Sequence, residues 1–134
     1  MKKKCRIIIP NHVTRLPDEN ELEAAKLFMK KYKQDVEFLE PHNGYKVSTP
    51  DFISAGQLWE IKTPETDRAD RLIEALRDAS KQAENIIINS KELRMTDAAA
   101  LRVVQRFFLS SRSVKRIVFI NKNHELSEFL KKRA

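Results

Sequence analysis

The sequence predicts a single α/β domain with a mixed sheet and flanking helices. Apolar residues recur at helical spacing in separate stretches, and short runs rich in isoleucine, valine and phenylalanine lie between them. The two kinds alternate along 134 residues, the length of one ordinary domain, so residues 1–134 are read as one unit.

The elements follow in order. Residues 6–9 read as a short strand ended by Pro10. Asp18 is placed to cap a helix running from Glu19 to about Lys33, where Leu22, Ala25, Phe28, Met29 and Tyr32 repeat at helical spacing. Residues 35–39 form a strand, and residues 41–50 a loop. Residues 51–54 and 58–62 form two strands around Ala55-Gly56, a hairpin turn. Pro64 ends the second of them. A strongly amphipathic helix covers residues 68–84, with Ala69, Leu72, Ile73, Leu76, Ala79 and Ala83 on one face. Residues 85–89 form a strand whose three consecutive isoleucines call for burial on both faces. Thr96 caps a helix to about Ser111, with Ala99, Val103, Phe107 and Phe108 as its core side. Residues 115–120 make another strand, and residues 124–132 a short terminal helix. The order is therefore α-β-β-β-α-β, followed by α-β-α.

Hydrophobic residues make up 41% of the chain, enough for a core. The net charge of +7 favours anionic partners such as nucleic acid or an acidic membrane surface. Lys2, Lys3, Lys4, Arg6, Lys30, Lys31, Lys33, Arg112, Lys115, Arg116, Lys131, Lys132 and Arg133 are candidates for phosphate contact, though any single one reads better as a solvated charge. A single cysteine, Cys5, excludes an internal disulfide and a cysteine zinc cluster, and suits a reducing cytosol. The apolar runs Ile7-Ile8-Ile9 and Ile86-Ile87-Ile88 are far short of a membrane span, which needs about 20 residues. The Met-Lys-Lys-Lys start is followed by too few apolar residues for a secretion signal, and no delivery region is expected. Two glycines, neither in a loop before Lys-Ser/Thr, argue against a nucleoside triphosphate site.

The hairpin carries the chemistry. With Ala55-Gly56 as a two-residue turn, Ser54 faces Gln57, Ile53 faces Leu58, Phe52 faces Trp59 and Asp51 faces Glu60. Alternation then sends Asp51, Glu60 and Lys62 to one face, and Phe52, Trp59 and Ile61 to the other. Two opposed carboxylates weaken a hairpin unless a cation lies between them. Their hard oxygens suit Mg²⁺ or Mn²⁺, with Zn²⁺ less suited. A metal there lowers the pKa of a bound water and acts as a Lewis acid, while the Lys62 ammonium steers a phosphate or stabilises developing charge. Ordinary surface charges are the alternative, and a turn of another length would break the register. On the first helix, Glu21 lies on the side of Ala25, Phe28 and Tyr32, whereas Glu23 points away among lysines. Glu21 either favours the helix dipole or completes a metal site.

An acidic residue on a first helix, then Pro50-Asp51, then Glu60-Ile61-Lys62 on the next strand, resembles the PD-(D/E)XK nucleases. The resemblance implies metal binding by Asp51 and Glu60, assistance to water by Lys62, and completion of the site by Glu21. Three stretches are similar to a narrower family: Thr49-Pro50-Asp51-Phe52; Leu58-Trp59-Glu60-Ile61-Lys62-Thr63-Pro64; and Lys81-Gln82-Ala83-Glu84-Asn85-Ile86-Ile87-Ile88. That family is the tRNA-cleaving C-terminal toxin domain of contact-dependent growth inhibition (CdiA) proteins and its relatives on mobile elements. It implies a metal-dependent endoribonuclease acting on tRNA in the cytosol, delivered into a target cell and restrained in its producer by an immunity protein.

Thr63, Lys81 and Gln82 are candidate substrate contacts, with a solvated glutamine as the alternative for Gln82. Tyr45 is a candidate for base stacking, and so is Trp59, which the alternation instead places in the core. His42 is the histidine closest to the acidic hairpin in sequence, and a loop role is its alternative. A DNA endonuclease of the same fold, or an inactive nucleic-acid-binding protein, fits the same residues. The oligomeric state is not encoded in any pattern found.

Overall fold

The computed structural model describes residues 4–10, 16–40 and 49–131. Its elements are β1 (Ile7–Ile8), α1 (Glu19–Tyr32), β2 (Val36–Phe38), β3 (Phe52–Ser54), β4 (Gln57–Lys62), α2 (Ala69–Ser80), β5 (Asn85–Asn89), a 3-10 turn (Ser90–Glu92), α3 (Asp97–Ser110), β6 (Arg116–Ile120) and β7 (Leu126–Leu130). The strands form one seven-stranded sheet in chain order. The pairs β1–β2, β4–β5 and β5–β6 are parallel, and β2–β3, β3–β4 and β6–β7 antiparallel. The predicted mixed sheet with flanking helices is thus present.

Burial explains the layering. On one side, Ala24, Ala25 and Phe28 of α1 meet Phe52, Trp59, Ile61, Ile87 and Val118. On the other, Leu72, Leu76 and Ala79 of α2 and Ala100, Val104 and Phe108 of α3 meet Ile86, Ile88, Ile117 and Phe119. Alternate isoleucines of β5 therefore feed opposite cores, as the uninterrupted apolar run required. Asp18 caps α1 through a reciprocal capping box: its carboxylate accepts from the Glu21 N–H at 2.8 Å, and Glu21 Oε1 accepts from the Asp18 N–H at 3.3 Å. Thr96 caps α3 as predicted, accepting from the Ala99 N–H at 3.1 Å.

The hairpin register is the predicted one, Ser54 with Gln57, Ile53 with Leu58 and Phe52 with Trp59. Ala55 and Gly56 both take positive φ, 49° and 75°, the conformation whose twist matches that of the strands. Alanine is strained there and asparagine much less so. Ala55→Asn is accordingly expected to raise the unfolding free energy by about 0.5–1 kcal/mol, read as a higher urea midpoint. A midpoint at or below that of the parent would count against this turn geometry.

Four expectations need correction. The terminal segment is not a helix: β7 pairs antiparallel with β6, so the chain ends α-β-β rather than α-β-α. The side chain of Asn121 accepts from the N–H groups of Asn123 and Glu125, and His124 takes φ 64°, which folds the segment back on β6. The helix α2 ends at Ser80, and Ala69 is exposed at its start. The buried face of α3 is Ala100, Val104 and Phe108; of the expected core side Phe108 is buried, while Val103 and Phe107 pack against it only partly buried and Ala99 lies at the margin. Glu23, expected only to point away among lysines, is tied to the turn after β5 by its pair with Lys91 at 3.3 Å.

Candidate active site

The start of α1, the segment before β3, the end of β4 and the turn after α2 enclose a cleft of about 460 Å³. Asp18, Asn20 and Glu21 line it from α1, Thr49, Pro50 and Asp51 from the approach to β3, Glu60, Lys62 and Thr63 from β4 and its end, and Gln82 from the turn. Asp51, Glu60, Lys62 and Glu21 are therefore brought together, from segments far apart in the chain.

Asp51 differs from expectation in one detail. It lies in a bend just before β3 rather than in a ladder pair with Glu60. Its N–H donates to the Trp59 carbonyl at 2.9 Å, and its Oδ2 accepts from the Ile61 N–H at 2.7 Å. The carboxylate thus takes a place that a strand carbonyl would otherwise fill, which fixes one oxygen by the backbone of β4.

Glu60 is only 4% exposed. Its Oε2 lies 3.5 Å from the Lys62 ammonium, and its Oε1 is buried with no hydrogen-bond partner. Burial, then the neighbouring charge of Asp51, pushes the Glu60 carboxyl up to about 8, with Lys62 opposing. Burial and Asp51 also raise Glu21, to about 7. A buried carboxylate with an unsatisfied oxygen and a like-charged neighbour is costly unless a cation joins it. Among the described residues no three or more His, Cys, Asp or Glu side chains gather as a complete metal cage. Asp51 and Glu60 offer hard oxygen donors of the kind that suit a Mg²⁺-type ion, which is commonly held by one or two carboxylates and otherwise by waters and substrate phosphate.

A family model described as the contact-dependent growth inhibition CdiA C-terminal domain matches residues 48–126, which span the acidic hairpin, α2, β5, α3 and β6. The chain belongs to this family. The CdiA C-terminal domain described here also shares its fold with a chain of the CdiA-CT/CdiI toxin and immunity complex from Burkholderia pseudomallei, at a TM-score of 0.66 and 18% identity, over 94% of this chain and 99% of that one. No curated protein matches it in sequence.

The remaining candidates divide by position. Thr63 and Gln82 lie on the wall of the cleft. Lys81 does not; it faces a second groove, which Gln82 also lines. His42 and Tyr45 lie outside the described residues. Trp59 is fully buried against Phe28 and Phe52, so it is core and not a stacking platform. Arg116 is withdrawn from the phosphate-contact candidates, because it donates to Glu128 at 2.8 Å and stacks over Tyr32 and Trp59. The sequence reading missed Asn20, Thr49 and Pro50 as wall residues; Asp18 it read only as a cap. The Asp18-x-x-Glu21 capping box was the available signal, since it holds both side chains at the helix start that faces the cleft. No helix among the described residues is long and apolar enough to cross a membrane.

Proposed function

We propose that this CdiA C-terminal domain is a metal-dependent endoribonuclease of the PD-(D/E)XK type that hydrolyses tRNA. The observation that carries the reading is the meeting of Asp51 with the buried Glu60, whose Oε1 lacks a partner and whose Oε2 lies 3.5 Å from Lys62. Asp51 and Glu60 would hold Mg²⁺ or Mn²⁺. Bound there, the ion supplies Lewis acidity toward the phosphoryl oxygen and a more acidic water.

The protein groups do the rest. Asp51, anchored through Oδ2 to the Ile61 N–H, presents its other oxygen in a fixed direction. Lys62 keeps its ammonium beside Glu60, where it orients the attacking water and offsets the charge that builds on the phosphate oxygens. Water loses a proton to solvent as its oxygen bonds to phosphorus, the P–O ester bond opposite breaks, and the departing oxygen takes up a proton from solvent. Thr63 and Gln82 on the wall hold the phosphate by hydrogen bonds. Glu21 stands at the edge of the site, its carboxyl held up at about 7 by burial and by the charge of Asp51.

The choice of tRNA rests on the similarity of residues 49–52, 58–64 and 81–88 to tRNA-cleaving toxin domains, together with family membership. The same membership supports a toxin role in interbacterial competition, action in the cytosol of the target cell, and an immunity protein as partner. The test is cleavage of total tRNA by purified protein with Mg²⁺, with Mn²⁺ and with EDTA. Discrete fragments that disappear with EDTA are expected. Intact tRNA beside cut plasmid DNA would replace the substrate, and no turnover with any metal would overturn the enzyme reading.

A further inference from the structure

A second groove, of about 490 Å³, lies between the β3–β4 turn, the α2–β5 turn and the start of β6. It shares a wall residue, Gln82, with the candidate active site. The two cavities differ in charge. Among described residues the first is lined by four carboxylates, Asp18, Glu21, Asp51 and Glu60, and by one lysine, Lys62. The second is lined by two lysines, Lys81 and Lys115, and by one carboxylate, Glu84.

That difference sets a problem for a polyanionic substrate. The described wall of the first cleft offers a single lysine, already beside Glu60, so the phosphates on either side of the one being cut find little cationic support there. Those flanking phosphates need cationic partners close by. Lys81 and Lys115 are exposed and stand on the far side of Gln82. Leu58 on the same wall is 42% exposed and offers an apolar surface to a base, and Gln57 an amide for its edge. The floor is rigid: the side chain of Asn85 donates to the Leu58 carbonyl at 2.9 Å, and the Lys115 N–H donates to the Glu84 carbonyl at 2.8 Å.

We infer that the groove beside Gln82 binds the single-stranded segment flanking the scissile phosphate, with Lys81 and Lys115 on its phosphates and Leu58 against a base. The inference rests on the nuclease reading for which phosphate is scissile, but its test does not need turnover. In an Asp51→Ala background, binding of a fluorescein-labelled oligouridylate and of a labelled tRNA transcript is measured by anisotropy across a salt series. Lys81→Ala with Lys115→Ala is expected to weaken binding severalfold and to flatten the slope of log K against log salt by about 0.7 for each lysine. Lys81→Arg with Lys115→Arg is expected to restore the slope, which separates charge from folding. A slope unchanged by the double alanine variant, or no binding of either probe, overturns the inference. Wild-type cleavage of tRNA with a lysine-independent slope would spare the nuclease reading and sink the groove. A lysine-dependent slope without cleavage by the wild type would do the reverse.

Discussion

Lys62→Ala is expected to lower the rate of tRNA cleavage by about 10²–10⁴-fold, the range for losing a positioned proton-transfer or charge-stabilising group. The reason is local. Lys62 stands at the end of β4, two residues beyond Glu60, and the ladder with β5 pairs it opposite Ile88. Its side chain is thus held over the cleft by a strand buried in the centre of the sheet, and no described lysine or arginine besides it lines that cleft. Single-turnover rates at saturating protein would read the loss as chemistry rather than binding. The substitution also leaves Glu60 without its cationic neighbour, so the alanine protein is expected to keep its fold while binding Mn²⁺ with altered affinity. A rate within a factor of a few of wild type would remove Lys62 from the mechanism.

Glu60→Gln is expected to abolish cleavage and to stabilise the metal-free protein above neutral pH. The folded state holds Glu60 at about 8, above its ordinary 4.5, because burial and Asp51 disfavour its charge. A group raised in this way contributes stability that is fully present below about pH 4.5 and is lost as pH climbs through about 8. Metal-free wild-type protein should therefore lose a few kcal/mol over that window. Glu21, raised to about 7, adds loss in the lower part of the same range. In Glu60→Gln the larger part of the slope disappears, and only the share of Glu21 remains. Saturating Mg²⁺ or Mn²⁺ should flatten the wild-type profile too, since the ion favours the ionised pair. Thermal melts from acid to mildly alkaline pH, with and without metal, check both. A flat metal-free wild-type profile would mean that Glu60 ionises in the folded state as easily as in the unfolded one.

Local signals made part of this architecture legible. Ala55-Gly56 announced the hairpin, and one two-residue turn set the register that puts Glu60 and Lys62 on the cleft side and Phe52, Trp59 and Ile61 in the core. The isoleucine run of β5 announced a central strand. Asp18 and Thr96 announced two helix starts. The failures came where distant contacts overrode propensity. Residues 124–132 are rich in Glu, Leu and Lys, good helix formers, yet Phe129 packs on Phe108 and Glu128 pairs with Arg116, and both contacts need a strand beside β6. The bend at Asp51 was equally hidden, because it depends on a side-chain bond to Ile61 that no spacing rule encodes. The early end of α2 places Gln82 in the turn shared by both cavities rather than on a helix flank.

The terminal strand has a consequence for how copies of the molecule meet. An edge strand carries unpaired N–H and C=O groups and invites another chain to extend the sheet. On β7 the central residue is Glu128, tied by Arg116 to the neighbouring strand. Just past it, the Lys131 ammonium donates to the Ser111 carbonyl and lies over the Phe108 ring. A strand docking alongside would have to strip water from that carboxylate and disturb that lysine. Among the described residues β7 is an edge of the sheet, and the charges of Glu128 and Lys131 raise the cost of docking a further strand there, even though Leu130 beside them is 60% exposed.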